Sequence, residues 1–150
     1  MLKWIDPLLS PELLKILCEM GHGDEIVVAD ANFTAETLGH GKQLIRLPGI
    51  GLHRACQALL SVFPLDAAVA QPVAYMKVCD TPAGYASVLQ QSVLDLLAET
   101  GSADPAQCEA VERFAFYDRV KKAYAIVQTG EMQPYANFTF KKGVIADALA

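Results

Sequence analysis

No stretch of this sequence approaches the ~18 to 20 consecutive apolar residues that a membrane-spanning helix needs, although 53% of its 150 residues are hydrophobic and only 19% are charged. The opening MLKWIDPLLSPELLK meets Asp6, Pro7, Pro11 and Glu12 too early to hold a secretory apolar core, so a cytoplasmic address is expected. There is no basic stripe: the net charge is -5, and Lys and Arg are scattered apart from the pairs Lys121-Lys122 and Lys141-Lys142, which argues against a nucleic-acid partner. The four cysteines, Cys18, Cys56, Cys79 and Cys108, include no CxxC pair, so neither a zinc site nor a disulfide framework is indicated. Gly49-Ile50-Gly51 lacks both a strong preceding strand and the third glycine of a dinucleotide fingerprint. No GxSxG is present to mark a nucleophilic serine.

What the chain does have is alternation of helical and strand-like stretches. Ser10 is a good N-cap, Pro11 suits the first helical position, and Leu13, Leu14, Leu17 and Met20 recur at helical spacing until Gly21. After the polar turn His22-Gly23-Asp24-Glu25, the continuous run Ile26 to Ala29 reads as a strand covered on both faces, ending at Asp30. Leu44 to Leu47, Val73 to Val78, Ala125 to Gln128 and Phe138 to Lys141 are further strand candidates. Leu52 to Phe63, Tyr85 to Ala98 and Phe116 to Tyr124 read as helices, and Gly130 to Pro134 as a turn. The pattern predicts one α/β layered domain over residues 1–150, with a central, at least partly parallel sheet flanked by helices. The surplus of apolar residues suggests burial between subunits.

Few residues offer chemistry. His22 stands between two glycines just beyond a helix end, where backbone can approach a ligand closely. The carbonyl end of that helix favours the protonated ring, and Asp24 is placed to hold one ring nitrogen, the properties of a general acid or base. Taken alone, Gly-His-Gly reads more readily as a flexible turn than as a catalytic loop. Asp30 ends a buried strand, and ligands of open α/β sheets gather beyond the carboxyl ends of strands; an isolated Asp can also cap its own turn. His22 and Asp30 bracket one short strand, so a shared site requires folding over the crossover or pairing across a subunit boundary. Arg113 could clamp a ligand or sit beside apolar packing, and Tyr135-Ala136-Asn137 could offer hydrogen bonds to a polyol or form a turn into a strand. His40 and His53 read as solvated surface histidines.

Together these stretches resemble the fucose mutarotase and ribose pyranase family. Similar to its fucose branch are Ser10-Pro11-Glu12-Leu13-Leu14-Lys15, then Glu19 to Ile26 with Asp30-Ala31, then Arg113 to Tyr117, Lys122 to Val127, Thr129-Gly130-Glu131 and Lys141 to Val144. Ala136 departs from it: the fucose branch usually has glycine there, and alanine is familiar from the ribose branch. The stretch from about Ala67 to Glu112 matches poorly. The resemblance implies that His22 is the proton donor, that Asp30 and Arg113 bind the sugar and that Tyr135, Ala136 and Asn137 complete the pocket, with Asp24 and Tyr117 as possible supporting residues. It implies a free monosaccharide as partner, no cofactor and no metal, and a ring-shaped homo-oligomer, commonly a decamer, with the pocket built across a subunit contact.

Such chemistry needs little. An aldose changes anomer when one group takes the proton of the anomeric hydroxyl and another protonates the ring oxygen, after which the carbonyl turns its other face and the ring recloses. The resemblance implies L-fucose as the sugar; a non-catalytic sugar-binding or transport-accessory protein, or a ribose pyranase, is the alternative reading of the same residues.

Overall fold

The computed structural model describes residues 1–146, so the last four residues of the expected domain lie outside the described part. Its first helix, α1 (Pro11–Glu19), starts as the sequence indicates: the Ser10 side chain accepts the Leu13 N–H and proline occupies the first turn. β1 (Glu25–Ala29) follows, then the short α2 (Ala35–Leu38), β2 (Gln43–Leu47), α3 (Leu52–Leu60) and β3 (Val73–Met76). α4 (Val88–Glu99), β4 (Cys108–Val111), α5 (Arg113–Lys122), β5 (Ala125–Thr129) and β6 (Phe138–Lys141) complete the chain.

The six strands form one sheet in the order β2-β5-β1-β6-β3-β4. β1 and β2 each run parallel to β5, and β3 runs parallel to β4. β6 alone runs the other way, antiparallel to both β1 and β3. The expected partly parallel sheet is therefore present, and its topology has a direct consequence: the carboxyl ends of five strands and the amino end of β6 share one edge.

Both faces are covered. Ile26 and Val28 of β1 point into the larger core with α1, α3 and α4, while Val27 and Ala29 point into a second core with Phe116 and Val120 of α5. This double coverage explains why β1 is apolar at four successive positions. Burial of Phe116, Phe138 and Phe140, all fully enclosed, anchors the two layers.

Several boundaries differ from the sequence reading. α4 begins at Val88 rather than Tyr85 because Ser87 and Gln90 form a reciprocal capping box. α5 begins at Arg113 rather than Phe116, since the Glu112 carboxylate accepts the Phe114 and Ala115 N–H groups. It stops at Lys122, and Tyr124 instead donates its N–H to the Glu25 carbonyl. α2 and β4 went unread: one is a single turn, and the other is a partly exposed edge strand without apolar alternation.

Candidate functional site

At the shared edge lies a cavity of about 220 Å³ lined by Asp30, Phe33, Met76, Arg113, Tyr117, Tyr135 and Asn137, with Asn32 and Pro134 at its margin. Four strand ends contribute: Asp30 follows β1, Met76 ends β3, Arg113 lies just beyond β4 and Asn137 precedes β6. A hollow of about 410 Å³ elsewhere is larger but almost wholly apolar, walled by Ile5, Leu14, Leu17, Phe63 and Pro64. Its ammonium, Lys142 Nζ, already donates to the Leu17 and Met20 carbonyls. Of these two, the smaller cavity is the one that combines modest size with several convergent polar groups.

Asp30 is buried, yet every approach to its carboxylate is organised. Oδ1 accepts the Asn32 N–H at 2.9 Å and Oδ2 accepts Asn137 Nδ2 at 3.0 Å, while Asn137 Oδ1 accepts the Asp30 N–H at 2.9 Å. The turn-capping role and the cavity-facing role thus belong to the same side chain. Burial pushes its carboxyl above the ordinary 3.8, opposed by the hydrogen bonds from Asn32 and Asn137 and by the nearby Ala136 and Phe33 amides.

Arg113 stands at the first position of α5 and donates from Nε to Tyr117 Oη at 2.9 Å. Its guanidinium lies over the Phe114 and Tyr117 rings, 5.4 and 5.5 Å from their centroids. Among the described residues no carboxylate pairs with it, which leaves its terminal nitrogens for a ligand. Tyr135 adopts a left-handed backbone, φ 63°, uncommon for a bulky residue. A hydrogen bond with Cys79 and burial push its phenol up, so it stays protonated at neutral pH. Of the expected Tyr135-Ala136-Asn137 group, the first and last line the cavity; the Ala136 methyl does not, being packed into the core behind it.

One residue of this region is silent in the sequence. Gln90, fully enclosed, donates from Nε2 to the Met76 carbonyl at 2.7 Å and the Tyr135 carbonyl at 2.8 Å, and accepts the Ser87 N–H through Oε1. It ties the end of β3 and the strained Tyr135 loop to the start of α4. Gln90→Leu takes the amide donor from one buried and one partly buried carbonyl, so unfolding in urea should show a loss of about 1–3 kcal/mol. The capping-box spacing was the readable signal, but not the two carbonyls.

His22 is elsewhere. It precedes β1, Asp30 follows it, and the five residues of β1 put roughly 16 Å of strand between them. Folding over the crossover therefore does not join them within one chain. Nor does Asp24 hold the imidazole: its Oδ2 accepts the Gly21 N–H at 2.7 Å, and His22 Nε2 lies 3.0 Å from Asp66 Oδ1 instead. The His22 side chain is 52% exposed, on a surface rather than in the core. Among the described residues no group of three or more His, Cys, Asp or Glu is placed to hold a metal ion.

Residues 3–145 match the RbsD / FucU transport protein family. The chain belongs to that family. It is 45% identical over 144 residues to the L-fucose mutarotase of Actinobacillus pleuropneumoniae serotype 5b, covering 96% of this chain and 97% of that one. Among solved structures, the fucose mutarotase of Streptococcus pneumoniae in complex with L-fucose is similar with a TM-score of 0.84 and 39% identity, covering 97% of this chain and 100% of the other. Bacillus subtilis RbsD complexed with D-ribose is similar at a TM-score of 0.74 and 25% identity, covering 97% and 100%. The RbsD / FucU fold therefore extends from end to end, through the stretch from Ala67 to Glu112 whose sequence is uninformative.

Proposed function

We infer that this chain is an isomerase that interconverts the anomers of free L-fucose by cofactor-free general acid-base opening of the sugar ring. The observation that carries the reading is the coincidence of the polar cavity with near end-to-end likeness to an L-fucose mutarotase. Asp30 and Asn137 take sugar hydroxyls on one wall, and Arg113 with Tyr135 takes them on the other. Ala136 shapes the same loop through its backbone. His22 gives its proton to the ring oxygen, while the proton of the anomeric hydroxyl is relayed to solvent through a group in the cavity, an ordered water or a phenol, Tyr117 or Tyr135, that takes it as it releases its own.

Since His22 and Asp30 occupy opposite sheet edges, the donor reaches the sugar from a neighbouring copy of the chain. We propose a ring-shaped homo-oligomer, a decamer, acting on free sugar in the cytoplasm, each chain serving as one domain over residues 1–150. Support comes from the apolar hollow and from the exposed Met1, Leu2, Trp4, Val144 and Ile145, which are costly to leave in water. The four unpaired thiols suit a reducing compartment. No helix among the described residues is long and apolar enough to cross a membrane.

Exchange NMR on L-fucose anomers tests the reading. Catalysed crossover above the buffer rate is the expected result; bound-ligand signals without crossover would leave a non-catalytic sugar binder. A panel of aldoses separates fucose from ribose, with L-fucose expected to exchange faster, in keeping with the lower identity to the D-ribose-bound relative.

The raised Asp30 carboxyl makes a further prediction. On acidification it takes up its proton above the ordinary 3.8, and a protonated carboxyl loses the charge that accepts hydroxyls. L-fucose affinity should therefore begin to fall at higher pH than a free carboxylate would give. Calorimetric titration across the acidic range checks the sign; flat affinity down to 3.8 would remove Asp30 from the sugar.

A further inference from the structure

We propose that Asp66 is the positioning residue for His22: it holds the imidazole by Nε2 and so leaves Nδ1 as the atom that exchanges a proton with the sugar. The inference rests on the reading of His22 as proton donor and adds a residue and an atom to it.

The geometry is one-sided. Asp66 Oδ1 lies 3.0 Å from His22 Nε2, and the Asp66 side chain is only 5% exposed while that of His22 is 52% exposed. A buried carboxylate that also accepts the Ala68 N–H at 3.0 Å stays ionised and offers no donor. Nε2 must therefore carry the hydrogen. The Ala68 N–H, the His22 bond and the nearby Lys141 charge hold the Asp66 carboxyl below its ordinary range, consistent with an acceptor that keeps its charge. Among the described residues no hydrogen bond engages Nδ1, and the side chain is half exposed, which leaves that nitrogen for another molecule.

The two partners are also fixed to a common support. The Asp66 N–H donates to the Lys141 carbonyl, and Leu65 bridges Lys142. On the other side the Gly23 N–H donates to the Lys142 carbonyl, and the Lys142 N–H donates to the Asp24 carbonyl. A Cβ on Gly143 would run into the Leu65 carbonyl, so glycine is required for this close approach. Residues 141–143 thus clamp the His22 turn and the Asp66 turn together, although 44 residues separate the pair in sequence. A simple turn cap at Asp66 would need only Ala68.

The proton path balances. Protonated His22 passes the Nδ1 proton to the ring oxygen as the C1–O bond breaks, and the proton of the anomeric hydroxyl is relayed through a cavity phenol or water to solvent as the C1 carbonyl forms. Neutral His22 remains as the Nε2–H tautomer that Asp66 already holds, and reclosure returns the proton to Nδ1. An outer carboxylate that fixes the ring in this way sets tautomer and orientation without touching the substrate.

The test uses the intact protein with Asp66→Asn, which keeps an oxygen for Ala68, and Asp66→Ala. Exchange NMR should show kcat lowered by about tenfold or more in Asp66→Ala, with a smaller drop in Asp66→Asn and KM unchanged in both. Nitrogen-15 spectra of the histidines read the tautomer without any activity: wild type should show the Nε2–H form at His22, and Asp66→Ala a mixture. A wild-type ring protonated at Nδ1 with Nε2 free overturns the proposal, as does kcat within about twofold of wild type in both folded variants. If wild type lacks crossover the mutarotase reading itself fails, and if His22→Ala retains it His22 is not the donor; the tautomer spectra distinguish either outcome from failure of the Asp66 assignment.

Discussion

His22→Ala is expected to lower the L-fucose anomer exchange rate by about 10²- to 10⁴-fold, the usual contribution of a positioned proton donor, with the thermal unfolding midpoint close to wild type. The fold should survive because the imidazole is half exposed and supports no core packing. Its removal does not orphan Asp66, whose Oδ1 keeps the Ala68 N–H. L-fucose should still bind, since Asp30, Arg113, Tyr135 and Asn137 line a cavity that His22 of the same chain does not enter. The decisive measurement is crossover between the anomer signals with saturating protein. Exchange at the wild-type rate in a folded His22→Ala protein would end the acid-base assignment.

The second large effect is a recovery. Arg113→Ala should be almost inactive, because it removes the one cation that lines the cavity among the described residues while costing the fold only a contact with Tyr117 and the Phe114 ring. Each single variant is then dead for a different reason. When the two variants are co-expressed, a site built from His22 of one copy and Arg113 of its neighbour has both residues intact in about a quarter of random pairings. Activity should rise to that level, well above either parent. A site formed within one chain has no intact pairing in such a mixture, so a co-expressed preparation as inactive as its parents would refute the composite arrangement.

How far the sequence alone carries this picture depends on whether each signal is local. Ser10-Pro11 marks the start of α1, and the four apolar residues of β1 announce a strand with two covered faces, because propensity and burial agree there. Asp30 at the carboxyl end of that strand was readable as a ligand position from topology alone. β4 was not: Cys108–Val111 is short and half-exposed, so nothing periodic distinguishes it from loop. The start of α5 was missed because Glu112 is an uncommon cap and the exposed face of the helix carries Phe114. Asp24 was the natural sequence partner for His22, being two residues away, but it faces back to cap Gly21. The real neighbour, Asp66, arrives through a long-range contact that no local pattern encodes.

One strand joins the two edges on which everything depends. At its amino end β6 is preceded by Asn137, locked to Asp30 through two hydrogen bonds. At its other end it runs into the Lys141–Gly143 stretch that secures the His22 turn. Between them Phe138 and Phe140 must face one layer and Thr139 the other. Deleting or inserting a single residue here would turn both rings to the wrong face and displace both anchoring points together. The four-residue length of β6 is consequently fixed from two directions.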